Sequence, residues 1–252
     1  MDKTVVSVLD QGPLICAEGY LFELERRGYL QAGSFVPEVA LQNPEVLEDV
    51  HRDFVKAGSD VILAFTYNAH REKMRIIDKE TLLEPLNRSA LKIANKIKGE
   101  FDNKPFVAGN LSNTNIYDPE DTASKAAVRA MFAEMLSWCV EEGVDYIVAE
   151  TFYYYEEAAI ALEEIKKKGL EAVVTLAVMA SGTMVDGFSV VESCKRLKDQ
   201  GADVVGLNCF RGPQTMMPLL KEVREHVSGH IAALPVTYRT TAEEPTFFKL
   251  TD

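Results

Sequence analysis

Residues 203–210 read DVVGLNCF, and RGP follows at once. The apolar part is too short for a helix and shows no alternation with polar residues. It reads as a strand buried on both faces, the pattern of a parallel sheet. The strand stops on Asn208 and Cys209. Two readings of that cysteine stand side by side. A lone thiol at a strand end is ordinarily a small buried apolar group. A thiolate at the mouth of an α/β barrel can instead be a metal ligand.

Runs of the same kind recur along the chain: PLICA (13–17), DVILAFTY (60–67), PFVAGNLS (105–112), DYIVAET (145–151), AVVTLAVM (172–179) and HIAALPVTY (230–238). Helical patterns separate them. In NPEVLEDVHRDFVKAG (43–58), Asn43 suits an N-cap, Pro44 the first helical position and Gly58 the end. Val46, Leu47, Val50, Phe54 and Val55 fall on one face at helical spacing. Strand alternating with helix means βαβ units and a parallel sheet. No GxGxxG follows the first strand, and no Pro/Gly/Ser linker divides the chain. The expectation is a single (β/α)8 TIM-type barrel domain over residues 1–252. The count reaches seven strands, so the eighth strand and helix are expected to be lacking in this chain.

The 252 residues suit such a barrel, and a hydrophobic fraction of 47% is ample for its core. The net charge of -12 argues against nucleic acid and anionic membrane as partners. No apolar run approaches the roughly 20 residues that span a bilayer. The N-terminus does not read as a signal peptide. Cys16, Cys139, Cys194 and Cys209 are widely spaced and form no CxxC, so a disulfide framework is not expected and the cytoplasm is.

In such barrels the site lies at the C-terminal ends of the strands. The residues there are Glu18, Gly19 and Tyr20; Thr66, Tyr67, Asn68 and His70; Asn110, Ser112 and Asn113; Glu150, Thr151 and Phe152; Asn208 and Cys209; Tyr238 and Arg239. Carboxylates among aromatic rings suit an ammonium or sulfonium group. No glycine-rich phosphate loop follows the seventh strand. Each residue also has a plain structural reading. Glu150 ends an apolar strand, where a buried carboxylate is costly unless paired. Tyr153, Tyr154 and Tyr155 read as packing, His70 as a surface-loop histidine, and Cys139 and Cys194 as structural thiols within helices.

Three blocks carry a resemblance: EGYLFELERRGYLQAGSFVPEVALQNPEVLEDVHRDFVKAGSDVILAFTY (18–67), GVDYIVAETF (143–152) and GADVVGLNC (201–209). Together they resemble the homocysteine S-methyltransferases, closest to the betaine–homocysteine branch. The resemblance implies a barrel that uses Zn2+ to activate the thiol of homocysteine. That thiol takes a methyl group from a quaternary ammonium or sulfonium donor, giving methionine. Cys209 then corresponds to the first zinc ligand and Glu150 to the carboxylate that binds the homocysteine amino group, with Asn208 beside them. Glu18 and Gly19 fall in the family's Asp-Gly-Gly type loop, with Ala17 at the aspartate and Glu18 at a glycine. Tyr20, Phe35 and Tyr67 fall near the donor pocket; Phe35 stands for a tryptophan and Asn68 for a tyrosine. The family's other two zinc ligands are a Cys-Cys pair after an eighth strand, and this chain has no adjacent cysteines. Cys16 shares the alternation phase of Glu18 and reads as core. The family often forms homo-oligomers. Two rival functions are a non-catalytic barrel that binds a small amine or thioether, and the same homocysteine site served by another donor such as S-methylmethionine. A barrel aldolase would need a Schiff-base lysine at a strand end, and none is found.

Overall fold

Strand and helix alternate through the computed structural model, which describes residues 4–29, 38–179 and 181–236. The chain divides into two compact units, Met1–Ile116 with Ala130–Ile147, and Tyr117–Arg129 with Val148–Asp252.

In the first unit, the short helices α1 (Val5–Leu9), α2 (Tyr20–Arg26) and α3 (Val39–Gln42) precede α4 (Pro44–Lys56) and strand β1 (Val61–Leu63). Helices α5 (Arg71–Ile76) and α6 (Leu83–Gly99) lead to β2 (Phe106–Ser112), which pairs in parallel with β1 in the register Val61 to Phe106. Helix α7 (Thr122–Glu141) then leads to β3 (Tyr146–Phe152). Asp145 fixes the entry to β3. Its carboxylate accepts the Val107 N–H at 2.6 Å and an Lys98 Nζ hydrogen bond at 2.6 Å, while its own N–H donates to the Val107 carbonyl.

The second unit carries the rest of β3, then α8 (Tyr155–Lys167), β4 (Ala172–Leu176), α9 (Val190–Asp199), β5 (Val204–Asn208), α10 (Pro213–His226) and β6 (His230–Leu234). Strands β4, β5 and β6 are parallel neighbours, with Val174 opposite Val205 and Gly206 opposite Ala232. A Cβ on Gly206 would meet the Ala232 backbone nitrogen at 2.8 Å, so only glycine admits this close approach. The continuous apolar runs behave as expected in β2, β3 and β5, which are buried throughout. Strand β6 is half-exposed along its length, since no strand pairs beyond it among the described residues. No described helix is long and apolar enough to cross a membrane.

The structure corrects several sequence expectations. Six strands form among the described residues. PLICA makes only a single parallel bridge, Cys16 with Val61. Pro13 has no N–H to give and Ile15 is 60% exposed, so that run lacks the two buried faces of a core strand. The second strand ends at Leu63, because the chain turns and the Thr66 N–H donates back to the Ala64 carbonyl. Tyr238 and Arg239, at the end of the seventh expected run, lie outside the described residues. Asn43 precedes α4 but its side chain makes no capping bond; Pro44 does occupy the first turn. His51 joins Leu47, Val50 and Val55 on the buried face, where the apolar stripe had taken Val46 and Phe54, which are half-buried. His70 is buried, not a surface residue, and its Nδ1 accepts the Lys73 N–H at the start of α5. Cys139 and Cys194 are buried within α7 and α9 as expected.

Burial pushes His51 down to about 3, helped by the Arg52 charge, and His70 down to about 4, helped by Lys73. Both stay neutral in the folded state while the unfolded chain takes up protons near 6.5. Stability is therefore full above the unfolded value and falls as the pH drops through the window between the two. Urea unfolding should show a loss of about 2 kcal/mol between pH 6 and pH 5 from the two histidines together, and His51→Gln should remove about half of it. An unchanged pH slope in that variant would contradict the assignment.

Candidate active site

Two strand ends of the second unit meet through one side chain. Asn208, the last residue of β5, donates from Nδ2 to Glu150 Oε2 at 3.0 Å and to Thr151 Oγ1 at 2.7 Å. Its Oδ1 accepts the Thr151 backbone N–H at 2.9 Å. Both ends of the carboxamide are thus used, which fixes its orientation. Glu150, Thr151 and Asn208 are all buried, with Glu150 only 7% exposed. An ionised carboxylate in such a place needs strong hydrogen bonds or a counter-charge.

The backbone at these strand ends is unusual. Thr151 (φ 63°), Cys209 (φ 60°) and Phe210 (φ 55°) all occupy the left-handed region, which a β-branched threonine strongly disfavours. Such conformations persist where surrounding contacts over-determine them, and they cluster at functional sites. Here the contacts are the Asn208 bonds, together with the Cys209 N–H donated to the Leu234 carbonyl at 3.1 Å. Beyond the turn, the rings of Tyr153 and Phe210 stack at 5.2 Å. Cys209 is half-buried, and burial, with the nearby Glu150 charge, pushes its thiol up to about 11. Without a metal ion it is protonated at neutral pH.

Arg211 opens the RGP that follows the strand end. Its Nε donates to the Val178 carbonyl at 3.2 Å and its Nη2 to the Met179 carbonyl, just past the end of β4. The sequence offered no sign that this arginine is buried.

The strand-end residues of the first unit form their own set. Gly19, at φ 78°, opens α2. Glu18 is half-buried, and its Oε1 lies 3.8 Å from the Cys16 thiol. Tyr20 is buried; its hydroxyl meets His51 Nδ1 at 2.9 Å, and its ring packs against Phe54 and Phe65. Tyr67 and Asn68 are half-buried, with Asn68 at φ 62°. Phe35 lies outside the described residues.

Among the described residues no three His, Cys, Asp or Glu side chains gather closely enough to hold a metal ion. A catalytic zinc needs about three protein ligands. The described residues therefore do not by themselves fit a zinc centre.

The homocysteine S-methyltransferase family model matches residues 15–247. Betaine–homocysteine S-methyltransferase 1 of Xenopus tropicalis is 32% identical over 248 residues, covering 94% of this chain and 60% of that protein. S-methylmethionine–homocysteine S-methyltransferase BHMT2 of Pongo abelii is 30% identical over 244 residues, covering 94% of this chain and 64% of that protein. The chain thus spans less than two thirds of the length of either. The crystal structure of the homocysteine methyltransferase MmuM from Escherichia coli, in its metallated form, superposes with a TM-score of 0.78 at 20% identity, covering 90% of this chain and 84% of that one. That likeness establishes a shared α/β fold. With the match running from the first strand-end loop to beyond β6, the chain belongs to the homocysteine S-methyltransferase family.

Proposed function

We propose that this chain binds homocysteine and transfers a methyl group to its thiol from a betaine-like quaternary ammonium or sulfonium donor, giving methionine. In that reaction the sulfur–methyl bond forms as the donor's nitrogen–methyl or sulfur–methyl bond breaks. The donor leaves as a neutral amine or thioether. A free thiol near a pKa of about 8.5 is mostly protonated at neutral pH, so the nucleophile needs activation. In the reading drawn from the family a bound zinc would supply this, with Cys209 as one ligand and the others outside the described residues. The cysteine spacing supports a cytoplasmic compartment, and the family reading a single homocysteine-binding domain.

One observation carries the homocysteine assignment: Glu150 is a buried carboxylate held in place by Asn208, beside Cys209. An amino acid's ammonium group suits a carboxylate held in that position, through charge pairing and hydrogen bonds. Glu18, Gly19, Tyr20, Tyr67 and Asn68 are proposed for the remaining substrate contacts on the resemblance alone. The relatives differ in donor, betaine in one and S-methylmethionine in another by their names, so the donor is left at the class of methylated onium compounds.

Calorimetric titration with homocysteine tests this. Glu150→Gln keeps the size and the Asn208 contact but removes the charge, and should weaken binding about 30-fold or more. Asn208→Ala should weaken it about tenfold and cost about 1–3 kcal/mol of stability, because it removes one buried hydrogen bond from the Glu150 carboxylate and one from the Thr151 N–H. Full affinity in Glu150→Gln would end the assignment. Methionine formation in the presence of an onium donor separates the enzyme from a non-catalytic binder.

The ligand role of Cys209 has its own test. Zinc affinity, measured by competition with a chromophoric chelator under reducing conditions, should fall at least about tenfold in Cys209→Ala. Equal affinity in the variant would remove Cys209 from the ligand set.

A further inference from the structure

Eight described arginines, Arg26, Arg27, Arg52, Arg71, Arg75, Arg88, Arg129 and Arg196, each pair with a glutamate or aspartate. Arg211 does not. It is 8% exposed, yet no carboxylate among the described residues lies within ion-pair distance of it. Its described side-chain bonds go to two backbone carbonyls, those of Val178 and Met179. A guanidinium has five N–H donors in a planar fork, so three remain. Carbonyls share a hydrogen bond but bring no negative charge. Burying a cation on that footing costs stability that an anion would offset.

A second observation points the same way. Arg211 is followed directly by Gly212, the N-cap of α10, a helix of 14 residues. No side chain caps that end, and the first turn holds no acidic residue. Pro213 has no N–H and the Thr215 and Met216 N–H groups donate to the Gly212 carbonyl, so this end favours an anion chiefly through the helix dipole. The Arg211 N–H donates at 2.6 Å to the carbonyl of Cys209, which ties the arginine to the strand end that carries Asn208.

We propose that Arg211 is a binding residue for the carboxylate of a substrate, at the end of the second unit that also carries Glu150. This rests on the homocysteine reading. It adds that the pocket recognises zwitterions, with the ammonium group at Glu150 and the carboxylate at Arg211 for an amino acid, or the carboxylate of a betaine-like donor at Arg211. The planar fork suits a two-oxygen anion better than a lysine would.

Calorimetry on the full chain with two ligand pairs tests it. Homocysteine is compared with 3-aminopropane-1-thiol, which lacks only the carboxylate, and glycine betaine with tetramethylammonium. In the parent protein one carboxylate-bearing member should bind at least about tenfold more tightly than its partner, and the pair that shows the preference identifies the source of the anion. Arg211→Gln should bring that ratio close to one while leaving the affinity for the carboxylate-free partner within about threefold, and Arg211→Lys should restore part of it. Homocysteine binding with no carboxylate preference in either pair in the parent would overturn the proposal whether or not the variants fold, and would leave the homocysteine reading standing. A preference that persists in Arg211→Gln would overturn it equally. Failure of the parent to bind homocysteine or either donor would sink both.

Discussion

One carboxamide holds the candidate site together. Asn208 spends both its oxygen and its nitrogen on Glu150 and Thr151. Replacing it with a group of one polarity leaves a buried donor or acceptor unmet, which costs more than the bonds themselves contribute. The left-handed backbone at Thr151 is held by that tie, and at Cys209 by the N–H donated to the Leu234 carbonyl. Side-chain and backbone bonds together set the conformation of these ends.

The arrangement of β5 explains why this rigidity is available here. Gly206 lets β6 approach closely, β4 flanks the other side, and β5 is buried along its whole length. A polar residue at the end of such a strand has no water to satisfy it and must find protein or ligand partners. Asn208 finds Glu150 and Thr151. Arg211, three residues on, finds only carbonyls. The chain carries a net charge of -12, so a buried cation without an acid beside it is not for want of carboxylates elsewhere.

Much of this was legible in the sequence, for a definite reason. Continuous apolar runs such as 203–207 have one stable place in an α/β fold, a strand covered on both faces, and β2, β3 and β5 behave so. The ordered blocks that contain Glu150 and Cys209 carry the family resemblance. Other features depend on tertiary contacts that periodicity does not encode. PLICA looks like a strand until the exposure of Ile15 is known. His51 and His70 read as polar residues, yet both are buried, one meeting Tyr20 and the other capping α5. The Asn208 tie joins residues 57 and 58 positions apart, and nothing local announces it. Arg211 is hidden in the same way, because nothing in RGP encodes its burial.

The most direct test of this account is a crystal structure of the chain with homocysteine bound. It should place the ammonium group within about 3 Å of the Glu150 carboxylate, a hydrogen-bonding distance, with Asn208 still joined to Glu150 and Thr151. Homocysteine bound elsewhere, with Glu150 left facing only protein, would contradict it.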